Sequence, residues 1–95
     1  MHNLPRSQEL LMPTLYAISK LGGEASIRDI ESQVAQDLAL HEDSMKVVHS
    51  GTRTEFQYRM AWARTKAKSL GYLESPARQV WKLTQAGSTE LTNQP

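Results

Sequence analysis

The chain has 95 residues, of which 39% are hydrophobic and 22% are charged. This length and composition indicate one soluble globular domain, spanning residues 1–95, with a single modest core. The chain contains no cysteine, which excludes disulfides and thiolate metal sites. No apolar run approaches the roughly 18 residues of a membrane span. The N-terminus lacks the long apolar region of a signal peptide, so we expect a cytoplasmic protein.

The net charge of +1 conceals an uneven distribution of charge along the sequence. Residues 22–44 hold six acidic residues and a single basic one, Arg28, whereas residues 53–82 hold seven basic residues against Glu55 and Glu74. The seven are Arg53, Arg59, Arg64, Lys66, Lys68, Arg78 and Lys82. A clustered basic surface is typical of a polyanion-binding domain. We therefore expect the seven side chains to converge on one exposed ridge.

The N-terminal quarter predicts an arm followed by a helix. We expect residues 1–6 to form a frayed arm and a helix to run from Ser7 to Leu21. Pro13 either lies in the first turn of this helix or kinks a longer one. Gly22-Gly23 ends the helix, and Glu24-Ala25 is a short extended link or a minimal strand.

The next segment predicts a second helix and an irregular connection. Ser26 has the properties of an N-cap, with Asp29 in the reciprocal position of a capping box, and the helix should end near Leu40. Residues 41–53 are the least regular part of the sequence. We expect Asp43 or Ser44 to cap a short helical turn there, before Ser50-Gly51 breaks it.

The segment from Thr54 to Gly71 predicts a third helix, capped by Thr54 and stopped by Gly71. One apolar stripe recurs at helical spacing: Phe56, Met60, Ala63, Ala67 and Leu70. The opposite face is polar and basic, and is either a solvated outer face or a surface that fits a DNA groove. Trp62 is expected in the core or at its flank, covered by the stems of Arg59 and Lys66.

The sequence after Gly71 changes to a period of two, which predicts strands at Tyr72–Ser75 and Gln79–Thr84. Pro76-Ala77-Arg78 would form the turn between them. Leu73, Trp81 and Leu83 would face inward. A last helical turn at Gln85–Leu91, weakened by Gly87, should precede a polar tail at 92–95.

The order helix, link, helix, helix, hairpin predicts a winged helix-turn-helix fold, mainly α with a small β-hairpin. In this fold the third helix usually enters the major groove, N-terminal half first. The side chains predicted to meet base edges are Thr54, Gln57, Tyr58 and Ala61. Those predicted to meet phosphates or flanking DNA are Arg64, Thr65 and Lys68 along the helix, Arg53 before it and Arg78 in the wing.

The sequence predicts no enzyme, since catalytic, cofactor and metal motifs are missing from it. His2, His41 and His49 lack the spacing of metal ligands. Gly22-Gly23 lacks the lysine of a phosphate-binding loop, and Ser50-Gly51 does not form a nucleophile elbow.

A set of short motifs occurs in a fixed order along residues 12–87. They are Pro13-x-Leu15, Gly23-Glu24-Ala25-Ser26, Ser50-Gly51 before Phe56, Trp62-Ala63-Arg64, Leu70-Gly71-Tyr72-Leu73, and Arg78-x-Val80-Trp81-x-Leu83-Thr84-x-x-Gly87. In this set the chain resembles the N-terminal winged-helix domain of Mrr-type restriction proteins. Two positions depart from the family pattern. Gln79 stands where glycine is usual, which predicts a different wing turn, and Ala67 replaces a larger aliphatic, which predicts lighter packing.

The resemblance implies a target-recognition module for double-stranded DNA, methylated or unmodified. In the family this module is joined to a C-terminal nuclease domain that cuts modified DNA, and that domain is absent from these 95 residues. The chain is then an isolated domain or a small stand-alone relative, and we expect it not to cut DNA. Two alternatives stay open: a protein-interaction module that forms homodimers, and a small transcriptional regulator.

Overall fold

The computed structural model describes residues 4–93. A 3-10 turn at Ser7–Leu10 precedes the helices α1 (Leu11–Lys20), α2 (Ile27–Asp37), α3 (Glu42–Met45), α4 (Glu55–Ser69) and α5 (Gln85–Asn93). The strands are β1 (Glu24–Ser26), β2 (Val48–Ser50), β3 (Arg53–Thr54), β4 (Leu73–Ala77) and β5 (Val80–Leu83). The structure is mainly helical with two small antiparallel sheets, which is compatible with a winged-helix-like fold. Within this range, no helix is both long and apolar enough to cross a bilayer.

The beginning of the chain is more ordered than the predicted arm. Pro13 is the third residue of α1, so it lies in the first turn of this helix and does not kink a longer one. Arg59 Nη1 donates hydrogen bonds to the carbonyl oxygens of Leu4 (3.0 Å) and Pro5 (3.1 Å). Leu4 also packs against the core. These contacts fix the part of the predicted arm that the structure describes, and residues 1–3 lie outside the described range.

The predicted caps of α2 and α4 are confirmed. Ser26 Oγ accepts a hydrogen bond from Asp29 N (3.1 Å) at the start of α2. Thr54 Oγ1 accepts from Gln57 N (3.1 Å) while Gln57 Oε1 accepts from Thr54 N (3.0 Å), which is a complete capping box. Gly71, with φ +82°, follows the last turn of α4 in the left-handed conformation that stops a helix.

The short helix α3 begins one residue earlier than either predicted cap. His41 Nδ1 accepts a hydrogen bond from Asp43 N (3.1 Å) and occupies the N-cap position. The imidazole therefore caps this helix in place of Asp43 or Ser44. Helix α2 also ends early, at Asp37, and Ala39 turns the chain with φ +50°.

One hydrophobic core lies between α1, α2, α4 and the larger sheet. Its fully buried side chains are Leu10, Leu15, Ala17, Ile18, Ile30, Val34, Phe56, Met60, Ala63, Ala67 and Leu73. The apolar stripe predicted for α4 is confirmed except at its last residue, Leu70, which is exposed. Trp81 and Leu83 are half-buried and pack against this core, as the strand pattern predicted.

The larger sheet has the strand order β1-β5-β4 and is antiparallel throughout. Ala25 pairs with Trp81, so the short link of the sequence is a strand that joins the hairpin to the helices. The turn between β4 and β5 consists of Arg78 and Gln79, so it begins two residues later and ends one residue later than predicted. Gln79 adopts φ +60°, the left-handed conformation that glycine adopts more easily.

A second, two-stranded sheet pairs β2 with β3 across a turn at Gly51, in the segment that the sequence left irregular. Helix α5 is also longer than the single turn predicted, and it includes residues 92–93 of the expected tail. Residues 94–95 lie outside the described range. Gly87 is buried, and a Cβ there would collide with the Tyr72 carbonyl oxygen. This glycine therefore permits α5 to approach the start of β4.

Candidate nucleic-acid interface

The face of α4 that points away from the core carries most of the predicted site residues. Gln57, Thr65 and Lys68 are exposed, and Tyr58 and Ala61 are half-buried. Thr54 is half-buried at the N-cap. Because Thr54 and Gln57 hold each other in the capping box, the start of this face has a fixed geometry.

Arg64 does not lie on that face, and its predicted position was wrong. Its side chain is buried against α2, where Nη1 lies 3.3 Å from Glu31 Oε2. Its Cζ lies 6.0 Å from the centre of the Trp81 ring. The residue therefore joins α4 to α2 and the larger sheet, and it is not available to a phosphate outside the molecule.

Burial shapes the titration of this ion pair. It raises the pKa of Glu31, and Arg64 only partly offsets that effect. Burial also lowers the pKa of Arg64, against the attraction of Glu31. Arg64 Nε is buried without a hydrogen-bond partner in the described part of the chain. Both charged groups thus lose part of their hydration free energy on folding, which is typical of a buried ion pair.

The seven basic residues of 53–82 do not converge on one ridge. Arg59 is committed to Glu55 (Nε to Oε1, 3.1 Å) and to the N-terminal carbonyl groups. Lys82 lies between Glu24 and Glu74 in the register of the sheet. The remaining four are exposed and make no ion pair within residues 4–93: Arg53, Lys66, Lys68 and Arg78.

A shallow groove between α2 and the start of α4 contains polar residues of both helices. Arg28, Glu31 and Ser32 of α2 line it together with Thr54 and Gln57. Arg28 was not among the predicted site residues because it lies in the acidic half of the chain. Two features of the sequence could have indicated it: Arg28 is the single cation in residues 22–44, and it lies two residues after a predicted helix cap.

The β4–β5 turn lies next to the same groove. Ile27 N donates a hydrogen bond to the Gln79 carbonyl oxygen (2.9 Å), which joins the turn carrying Arg78 to the first residue of α2. On the other side, Arg53 lines a depression with Ala61 and Thr65. Arg53 is also close enough to Glu31 to lower the pKa of that carboxyl. We call this combination the α2–α4 surface: Arg28, Arg53, Gln57, Ala61, Thr65, Lys68 and Arg78.

An aromatic cluster flanks the α2–α4 surface. The rings of His49 and Tyr58 stack with centroids 3.8 Å apart, and Trp62 meets Tyr58 edge-on at 6.4 Å. Arg53 Cζ lies 5.8 Å from the Tyr58 centroid. Trp62 is 54% exposed, so the predicted core position covered by Arg59 and Lys66 was wrong; it lies at the flank of the apolar stripe, in a groove with Lys66. No sequence pattern indicated this cluster, because the β2–β3 hairpin, which carries His49, was not predicted.

The histidines that the structure describes have structural partners. His49 Nδ1 lies 2.7 Å from Glu55 Oε2, and this hydrogen bond, with a smaller effect of Arg59, lowers the pKa of Glu55. His41 caps α3. Within residues 4–93, no group of three or more His, Asp or Glu side chains is arranged to hold a metal ion. His2 lies outside the described residues.

Comparison with known proteins identifies one family. The sequence model of the Mrr N-terminal domain matches residues 8–93, a longer stretch than the motifs at 12–87. Neither the curated proteins nor the solved structures contain a match. The family match covers nearly the whole chain and includes every element of the α2–α4 surface. The chain therefore belongs to the Mrr N-terminal domain family.

Proposed function

We propose that this chain is a winged helix-turn-helix domain that binds double-stranded DNA. In this proposal α4 enters the major groove and the β4–β5 turn is the wing. The observation that supports it most is the hydrogen bond from Ile27 N to the Gln79 carbonyl oxygen. This bond joins the wing turn to the start of α2, and Arg28 of α2 lines one groove with Thr54 and Gln57 at the start of α4.

The proposed contacts divide between bases and phosphates. Gln57 and Ala61 would meet base edges, since a glutamine amide pairs with adenine and a methyl group packs on thymine. Thr54 would act through its capping box, and Tyr58 would border the contact. The proposed phosphate contacts are Arg28, Arg53, Thr65, Lys68 and Arg78, because exposed cations and hydroxyls bind the DNA backbone. Arg64 is left out because it is buried.

The proposed biological role is target recognition in an Mrr-like restriction system. Membership in the Mrr N-terminal domain family supports this role. The domain would supply DNA recognition to a C-terminal nuclease domain in a longer chain, and would not itself cut DNA. The proposal does not depend on whether the DNA is methylated. Measuring the affinity of the protein for one duplex in its methylated and unmodified forms would show which form it prefers.

The proposal is tested by titrating a labelled duplex with the protein across a salt series. With about four cations on phosphates, the logarithm of the association constant should fall with log salt at a slope near −4. Binding that ignores salt, or no binding at low ionic strength, would contradict the proposal.

One observation favours a second candidate, a homodimerisation module. Val47 and Val48 are 49% and 65% exposed at the start of the β2–β3 hairpin. A second copy could cover these side chains and leave the α2–α4 surface open. Sedimentation equilibrium of the wild type and of Val48→Lys distinguishes the two candidates, since only a dimer through this surface would dissociate on substitution.

A further inference from the structure

Trp62 is the most unusual residue on the surface of α4. Its indole is 54% exposed, although tryptophan is among the side chains that gain most from burial. It lies one helical turn after Tyr58 and borders the α2–α4 surface, since it lines one depression with Arg53, Ala61 and Thr65. Tryptophan is enriched at interfaces because its ring is largely apolar and its N–H can bind a polar partner.

The indole is held in place by its neighbours. The Tyr58 ring meets it edge-on, and Tyr58 is itself stacked on His49. His49 is fixed in turn by its 2.7 Å hydrogen bond to Glu55. This chain of contacts leads from the exposed ring to the capped first turn of α4, so the ring is already oriented before any partner binds.

The surroundings of Trp62 have one sign of charge. A groove on one side is lined by Ser7, Gln8, Tyr58 and Lys66, and a depression on the other is lined by Arg53, Tyr58, Ala61 and Thr65. These linings contain two cations and no carboxylate. The nearest acids in the sequence are already paired: Glu55 binds His49 and Arg59, and Glu9 accepts a hydrogen bond from Arg6 N.

We propose that Trp62 is a stacking site for an unpaired nucleic-acid base, with Arg53 and Lys66 binding the phosphates on either side of it. Aromatic rings flanked by cations bind single strands because every base has a π-face and every linkage has a charge. An intact duplex hides these faces, so the substrate here is a strand end, an unpaired segment or an extruded nucleotide. Tyr58 positions the indole. The inference rests on the proposed function only in taking DNA as the partner.

The test uses fluorescence anisotropy with a labelled oligothymidine of about 12 nucleotides, long enough to cover one small binding site. Four proteins are compared: wild type, Trp62→Ala, Trp62→Phe and Tyr16→Ala. Tyr16 is the matched control, because it is an exposed aromatic on α1 that lines neither groove. Thermal unfolding checks that each variant folds, which is expected since both side chains are exposed.

The predicted results follow from the loss or retention of the ring. Trp62→Ala should weaken oligothymidine binding about tenfold, whereas Trp62→Phe and Tyr16→Ala should stay within about twofold of wild type. Tryptophan emission should be quenched on binding in the wild type and in Tyr16→Ala. It should not be quenched in Trp62→Phe, although that variant still binds.

A fully paired duplex in the same assay separates this inference from the proposed function. Oligothymidine binding that depends on Trp62, without duplex binding, would support the stacking site and contradict the proposed function. Duplex binding, together with oligothymidine binding that Trp62→Ala does not weaken, would support the proposed function and contradict the stacking site. Equal losses for duplex and oligothymidine, or a drop in solution mass in Trp62→Ala, would overturn the stacking site. They would point to a duplex contact or to a second copy of the chain. Binding to neither probe would overturn both proposals.

Discussion

Arg64 Nη1 lies 3.3 Å from Glu31 Oε2, and this ion pair joins α4 to α2 inside the molecule. The two helices that carry the proposed DNA contacts are thus held together by a cation from the same basic segment. In the proposed function, Arg64 would contribute to DNA binding only by keeping Gln57 and Arg28 in their relative positions. Substituting Arg64 should therefore change the stability of the domain without changing the salt dependence of DNA binding.

Arg64→Ala should destabilise the domain and leave the salt dependence of duplex binding unchanged. The substitution leaves the Glu31 carboxylate buried without its partner, which typically costs about 3 kcal/mol. Urea unfolding gives the change in the free energy of unfolding. The double variant Arg64→Met with Glu31→Leu should recover most of the loss, since it removes both charges. A stable Arg64→Ala protein with a shallower salt slope would instead indicate a phosphate contact.

Lys68→Ala and Arg78→Ala should each reduce the magnitude of the salt slope by about 0.9, because each removes one phosphate contact. Sequence preference should stay the same, since these contacts do not read bases. Lys82→Ala is the matched control: this lysine lies in the same basic segment but between Glu24 and Glu74. A slope that changes as much in Lys82→Ala as in Lys68→Ala would show that only the total charge matters.

Gln57→Glu separates the two roles of Gln57. Glutamate at this position preserves the capping box, so the stability of the domain should stay close to that of wild type. It cannot donate a hydrogen bond to adenine but can accept one from cytosine, so the preferred base should change. The difference in binding free energy between the preferred and the wrong base is about 1–3 kcal/mol for such a contact. Selection from randomised duplexes measures the preference. An unchanged preferred site would remove Gln57 from the base contacts.

Glu55→Gln should flatten the loss of stability in acid. The pKa of Glu55 lies below its ordinary value of 4.5 because of the hydrogen bond to His49 and, to a smaller extent, Arg59. The ionised carboxylate therefore stabilises the fold above pH 4.5, and this contribution is lost as the pH falls through the lowered pKa. Thermal midpoints between neutral pH and acid test this, with Glu42→Gln, an exposed carboxylate of α3, as the control. Parallel acid profiles for wild type and Glu55→Gln would argue against the effect.

Gly87→Ala should destabilise the domain by about 1–3 kcal/mol, because the added methyl group forces α5 away from Tyr72. Ser88→Ala, at the next and exposed position of α5, should have little effect. Urea unfolding of both variants makes the comparison. Equal stabilities would mean that α5 moves at no cost.

The local signals in the sequence predicted the elements that depend on local chemistry. Ser26 and Thr54 cap helices because their side chains reach backbone groups three residues away, and Gly71 ends α4 because a positive φ is needed there. These interactions involve residues close in sequence, so a pattern in one stretch contains the information. The apolar stripe of α4 was correct for the same reason.

The errors concern contacts between distant residues. Arg64 follows the apolar stripe by a fraction of a turn, and only the presence of Glu31 on α2 makes it an internal residue. Trp62 is exposed, and Arg59, one of the two residues expected to cover it, is bound to Glu55 and the N-terminal carbonyl groups instead. The β2–β3 hairpin contains only five strand residues, which is too short for a pattern of period two to be detected.

We propose above that duplex DNA binds across α2, the start of α4 and the β4–β5 turn. The most direct test is an NMR titration of the ¹⁵N-labelled protein with a short duplex at low salt, following each backbone amide. The amides that shift should be those of Arg28, Arg53, Gln57, Ala61, Lys68 and Arg78, while those of α1 and α5 should stay in place. Shifts concentrated on α1 and α5, or no shifts at a saturating duplex concentration, would contradict it.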